Sequence, residues 1–260
     1  MKILVPALAA TLTAAAFATT ASAETAIGLS GDKTLVMFDT ATGAVSKTVD
    51  VSGVDKLHGI DVRPSNGMLY GVATDGTVVM IDPATGESKV SAKLEKTIAD
   101  GTGAIVDFNP AADKLRFMST DGTNLRADVD NGKVVTDGSL AFLGEDMHAG
   151  EKPNVVAAAY INSYGKPEKT AMYDVDATIG ALMQQVSPND GTLKAIGKFG
   201  FDLAKTYAFD VQTTADGKNM AWLVADNAVY TVDLETGKAS SASQVDSEGT
   251  IRDIAIMPQS

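Results

Sequence analysis

Residues 61–86 read DVRPSNGMLYGVATDGTVVMIDPATG, and residues 107–132 read DFNPAADKLRFMSTDGTNLRADVDNG. The two align without a gap at an offset of 46. Self-similarity at such a period is the mark of a repeat architecture. Inside each copy, short apolar or alternating runs have the length of ordinary strands. Asp75-Gly76 and Asp121-Gly122 separate the second run from the third, a tight hairpin signal. Asp82–Gly86 and Asp128–Gly132 separate the third from the fourth. There the Asp can accept backbone N–H groups of a turn, and the Gly can take the positive φ that closes it.

Working outward, residues 27–43 (IGLSGDKTLVMFDTATG) align on 70–86 at an offset of 43. Residues 210–237 form a further copy with two extra residues early in the unit. A degenerate copy runs through 155–162, 170–175 and 182–191, with Ser187-Pro-Asn-Asp-Gly191 where the others have Asp-x-x-Thr-Gly. One unit is therefore a four-stranded antiparallel meander, strands A to D, repeating about every 45 residues, which predicts a propeller blade. The ends of the chain predict closure. Residues 25–52 supply only strands B, C and D, and residues 250–258 (TIRDIAIMP) supply one lone strand that resembles strand A. The expected fold is all-β, a closed five-bladed β-propeller whose C-terminal strand completes the N-terminal blade and removes the open edges. A sandwich or an imperfect barrel is the competing architecture. A solenoid would need polar capping repeats, and none is visible.

Residues 1–23 read MKILVPALAATLTAAAFATTASA. A Lys, an Ala-rich apolar run and Ala21-Ser22-Ala23 fit a cleavable secretory leader, so residues 24–260 are expected as the single mature domain. The alternative is an N-terminal membrane anchor. No Cys follows the run, which excludes a lipid anchor, and no twin Arg precedes it, which points to the general secretory route. The expected location is the periplasm or the exterior. No second stretch of about 18 apolar residues occurs, so no membrane insertion of the mature chain is expected.

Composition narrows the chemistry. Zero Cys excludes disulfide frameworks, thiol catalysis and Cys-held metals, and two His leave little for a multi-His transition-metal site. With 33 acidic against 21 basic residues the net charge is −12, which argues against nucleic acid as a partner. No Gly-x-Ser-x-Gly and no phosphate-cradling Gly-x-x-x-x-Gly-Lys-Ser/Thr occurs. Asp128–Gly132 begins like a calcium loop but lacks the terminal Glu and aligns on turns, so an EF-hand is rejected. Trp222, the single Trp, aligns on Gly71 in strand B and is expected to pack between blades.

The segments GIDVRPSNGMLYGV (59–72), VDFNPAADKLRFMSTDGTNLR (106–126), VVAAAYINSY (155–164) and SPNDGTLKAIGKFG (187–200) resemble those of an exported bacterial family, domain of unknown function 4394. The resemblance covers nearly the whole mature chain. It implies an exported propeller-like domain and carries over no activity or site residues.

The candidate site residues come from the repeat. Asp61, Asp107, Asp210 and Asp253 stand at equivalent places in strand A, with Tyr160 or its neighbours there in the degenerate copy. Strand A is innermost, so these carboxylates are expected to ring one channel mouth, where they could hold a hard cation such as Ca²⁺. The structural reading is that each Asp accepts hydrogen bonds from the next blade or from Arg63, Arg116 or Arg252. His58 and His148, with Asp55, Asp100, Glu145, Asp146 and Asp202, fall in connections expected at one end of the propeller. Residues 144–153 form the candidate variable binding loop. The functional expectation is a non-catalytic exported propeller, a monomer, that binds a small molecule, glycan or protein on its channel face. The alternative is a glycosidase-like hydrolase using the Asp ring, with or without a cation; such an enzyme needs two nearby carboxyls with one pKa raised.

Overall fold

The computed structural model describes residues 24–99 and 101–257. The leader read over residues 1–23 lies outside them, as does Asp100. Every regular element among the described residues is a strand. The first blade takes β1 (Thr25–Ser30), β2 (Thr34–Asp39) and β3 (Val45–Asp50). The second is β4 (Leu57–Arg63), β5 (Met68–Ala73), β6 (Thr77–Ile81) and β7 (Ser88–Lys93). The third is β8 (Ala104–Asn109), β9 (Lys114–Ser119), β10 (Asn124–Ala127) and β11 (Val134–Thr136). A two-residue strand, β12 (Ala141–Phe142), precedes the fourth: β13 (Val155–Tyr160), β14 (Met172–Asp176), β15 (Ala181–Ser187) and β16 (Thr192–Lys198). The fifth is β17 (Tyr207–Thr213), β18 (Asn219–Ala225), β19 (Ala228–Val232) and β20 (Ala239–Gln244). The chain ends in β21 (Ile251–Ile256), which pairs antiparallel with β1 in the sheet order β21-β1-β2-β3.

The innermost strands close a ring in which β21 neighbours β4, then β8, β13 and β17, and β17 returns to β21. The fold is thus the five-bladed propeller that the repeat predicts, with the expected clasp. The clasp is irregular at Arg252: Leu29 pairs with Asp253 but Ser30 pairs with Ile251, a β-bulge. The bulged Arg252 donates to the backbone carbonyls of Gly31, Leu57 and His58 at 2.7–2.8 Å, tying the first blade to the second.

Five apolar clusters hold the blades, one per interface. Ile27, Leu29 and Leu35 meet Leu57, Ile60 and Leu69 between the first and second blades. Tyr70 and Val72 meet Phe108 and Phe117 between the second and third, and Ile105 and Met118 meet Met172 and Met183 between the third and fourth. Val175 and Leu182 meet Phe209 and Leu223, and Trp222 meets Phe38 and Ile254. Each middle strand therefore buries both faces, which is why the sequence runs there are nearly continuously apolar. Outer strands such as β3 are mostly exposed and read as polar. Trp222 packs between blades as expected, but its pairing with Asp210 matches that of Tyr70 with Asp61. Its place is that of Tyr70, not Gly71, because the hairpin between β18 and β19 is shorter than its counterpart between β5 and β6.

The turns between third and fourth strands behave as read. Asp39 Oδ1 accepts the N–H groups of Ala41 and Thr42 at 3.0 and 2.8 Å, and Asp233 Oδ1 those of Glu235 and Thr236. Gly132 has φ +78°, and a Cβ there would lie 2.0 Å from the carbonyl oxygen of Lys93 in the neighbouring blade. The repeated Gly is needed for close approach between blades as well as for the turn.

Candidate functional site

Three carboxylates converge where the innermost strands run into their A-to-B turns. Asp61 on β4, Asp107 on β8 and Asp210 on β17 each offer an oxygen, and these oxygens lie within 4.8 Å of one another. All three residues are buried, at 7%, 5% and 8% exposure. They line a cavity of about 50 Å³ together with Tyr160, Ser163, Tyr164 and Gln212.

The sequence places Asp inside strands for a backbone reason. The channel-side edge of an innermost strand has no strand partner, so its N–H groups need another acceptor. The preceding blade supplies it. Asp61 Oδ2 accepts the Phe108 N–H at 2.6 Å, Asp107 Oδ1 that of Tyr160 at 2.9 Å, and Asp210 Oδ2 that of Ile256 at 2.6 Å. In the fourth blade Ala159, not Tyr160, stands at the Asp place, because Tyr160 receives the bond that Phe108 receives in the third. Lacking a carboxylate from that blade, the Val211 N–H turns to Oδ1 of its own neighbour Asp210, at 2.6 Å.

Asp253 departs from the expected ring. Leu29 pairs with Asp253 and Ile27 with Ala255, whereas Tyr70 pairs with Asp61. Because Ile27 aligns on Tyr70, Ala255 holds the ring place and Asp253 lies two residues back along the strand, about 7 Å away. Its Oδ2 accepts the Ile60 N–H at 2.8 Å. The C-terminal strand matches strand A in composition but not in the register of its Asp.

Nor do the arginines serve the ring. Arg63 forks onto Asp113 and Asp130 with four contacts of 2.7–2.9 Å, clamping the second blade to the third. Arg116 binds Asp137 at 2.6 Å, Asn124, Asn189 and the Tyr160 hydroxyl. Arg252 is spent on the backbone carbonyls above. The three ring carboxylates thus have no ion pair among the described residues, and Asp107 Oδ2 has no hydrogen-bond donor there.

Burial holds the ring carboxyls above the usual carboxylate range. For Asp61, desolvation is reinforced by the charge of Asp210 and opposed by the N–H groups of Phe108 and Val62. For Asp107, desolvation is reinforced by Asp61 and Asp210. Asp210 is raised to about 6 by burial, against its two N–H bonds. Asp253 is raised to about 7, again by burial first.

Gln212 is the site residue that sequence reasoning missed. It lies two residues after Asp210 on β17, hence on the same face. Its Nε2 donates to Glu24 Oε2 at 2.8 Å, while its buried Oε1 has no hydrogen-bond partner among the described residues. Tyr164 and Ser163 were also missed, because they sit on the degenerate copy's A-to-B loop. Tyr164 is 53% exposed at the mouth.

The two His stay apart from the ring and from each other. His58 is on an innermost strand near the opposite end of the channel, with its ring 5.5 Å from Phe117. His148 packs on Phe142 and contacts Glu151 Oε2 at 3.0 Å. Its loop follows β12, which pairs with β16 at the outer edge of the fourth sheet, and Asp146 Oδ2 accepts the Ala195 N–H there at 2.8 Å. Residues 144–153 therefore lie along a blade edge rather than over the channel.

The fold and this arrangement define a five-bladed propeller with an acidic channel mouth. The chain belongs to the family described as domain of unknown function (DUF4394), whose profile matches residues 34–255. No curated protein matches it. A protein of unknown function from Bacteroides thetaiotaomicron VPI-5482 is similar over 92% of this chain and 68% of its own, at 18% identity and TM-score 0.54. A chain of a nidogen/laminin complex is similar over 91% and 98%, at 9% identity and TM-score 0.53. At these identities the likeness concerns the fold alone.

Proposed function

We propose that the protein is an exported propeller that binds a small polar ligand at its acidic channel mouth without transforming it. One observation carries this reading: three buried carboxylates converge on a cavity, and among the described residues no basic side chain is paired to them. Buried charge without a partner is costly, and a bound ligand relieves that cost. The hydrolase reading draws support from carboxyls within 4.8 Å whose pKa values are raised. Volume weighs against it, because a cavity of about 50 Å³ is far below the roughly 300–1,000 Å³ of sites that enclose organic ligands. The ligand group that enters is the size of an ion, an ammonium or a water.

Export rests on the leader read in residues 1–23; intact mass of the mature species starting at Glu24 supports it, and a retained Met1 contradicts it. Among the described residues no helix is long and apolar enough to cross a membrane. The binding reading is tested by a thermal-shift screen of cations, amines and sugars on residues 24–260. A ligand that stabilises the parent but not Asp107→Asn supports the mouth as its site. A sugar that is hydrolysed, with the activity lost in Asp107→Asn, overturns the non-catalytic reading.

A further inference from the structure

We infer that the mouth is a site for one hard divalent cation, Ca²⁺ by its donor set, held by the carboxylates of Asp61, Asp107 and Asp210 and by the side-chain carbonyl of Gln212. This deepens the binding reading above and rests on it. Two independent features meet here. The first is the carboxylate cluster, whose oxygens lie within 4.8 Å of one another. Oxygens on one Ca²⁺, each about 2.3–2.6 Å from the ion, are at most about 5 Å apart as an opposed pair and about 4.5 Å apart when three surround it evenly, so this spacing suits a shared ion with at most small side-chain shifts.

The second feature is Gln212. Only 5% exposed, it lines the same cavity, and its Oε1 has no hydrogen-bond partner among the described residues. Its orientation follows from Glu24: the amide nitrogen faces that carboxylate, which leaves the oxygen as the free end. A buried amide carbonyl with no donor is a cost unless something electropositive meets it. Asp107 also keeps acceptor capacity, since its one hydrogen bond among the described residues falls on Oδ1. The backbone N–H groups on the remaining carboxylate oxygens are compatible with the ion, since each oxygen has a second lone pair.

The donor set also selects the metal. All donors are oxygen, and both His lie elsewhere, so Zn²⁺ and Cu²⁺ have no soft or imidazole ligands. Ca²⁺ accepts six to eight oxygens in flexible geometry, with water completing the shell through the open mouth, whereas Mg²⁺ demands a near-ideal octahedron and dehydrates reluctantly.

The experiment takes the protein of residues 24–260, treated with chelator, and follows Ca²⁺ and Mg²⁺ by calorimetric titration and melting. For the parent we expect one Ca²⁺ per chain and a Tm rise of about 5–10 °C at 100-fold excess over Kd. Asp107→Asn keeps the shape and removes a charge; Gln212→Met keeps the volume and removes the carbonyl. Each is expected to weaken Ca²⁺ at least about 10-fold, and Gln212→Met serves alone if the Asp variant does not fold. Equal Ca²⁺ binding by parent and variants places the ion elsewhere and overturns the inference. No response to either ion, with an amine or other polar molecule still binding, overturns the cation and leaves the binding mouth standing. No binding of any probe overturns both.

Discussion

Gly132 shows how one residue can serve a turn and an interface together. Its positive φ alone disfavours a side chain by about 1–2 kcal/mol. The Lys93 carbonyl oxygen, 2.0 Å from where a Cβ would sit, adds a clash with rigid backbone. Gly67 shares the positive φ, at +68°, but has nothing within 4 Å. Chemical denaturation should therefore show Gly132→Ala costing about 2–4 kcal/mol and Gly67→Ala only about 1; equal costs would remove the interface role. Asp253 supplies a pH signature. Burial raises its carboxyl from 3.8 to about 7 in the folded state. A raised carboxyl binds its proton more tightly when folded, so its contribution to stability is complete below about pH 4 and is lost as pH rises toward 7. In chelator-treated protein, Asp253→Asn should lose part of the Tm decline between pH 4.5 and 7.5 that the parent shows, by a few degrees. Parallel curves would contradict this. The turn Asp and Gly residues were legible because their roles are local. The displacement of Asp253 was missed, because the strand matches strand A in composition while its register against β1 is set only when the ring closes. Gln212 was hidden because it does not recur.

At the scale of elements, β21 is the terminal strand that closes the ring. It carries Ile251, Ile254 and Ile256 into the interface with Trp222, and its Arg252 reaches the second blade. Its removal exposes the edge of β1 and strips one side of two interfaces. Deleting residues 251–260 should abolish the cooperative melting transition in calorimetry; an unchanged transition would refute closure. The clasp was readable from the count of strands at the two ends of the chain, three in one blade and one left over. The edge strand β12 was not, since two residues in parallel pairing leave no periodic pattern. That strand also explains why the loop with His148 lies along the rim of a blade. Loop length alone suggested a binding element, and the pairing with β16 was invisible in sequence.

Over the whole molecule, five similar interfaces surround a channel in which blade-to-blade hydrogen bonds are made by Asp carboxylates. Three of those carboxylates share the mouth, while the first blade has Ala255 and the fourth Ala159 at the same place. The ring is thus incomplete, with Ala in the two blades that flank the blade of Asp210, and Ser163, Tyr164 and Gln212 join the carboxylates in lining this mouth. The central claim is that this mouth holds a cation, and the most direct measurement is a crystal structure grown with Ca²⁺, with anomalous data that distinguish the metal from water. The account predicts one anomalous peak about 2.3–2.6 Å from oxygens of Asp61, Asp107, Asp210 and Gln212. A water there at about 2.7–3.2 Å, hydrogen-bonded to protonated carboxyls and with no anomalous signal, would contradict it.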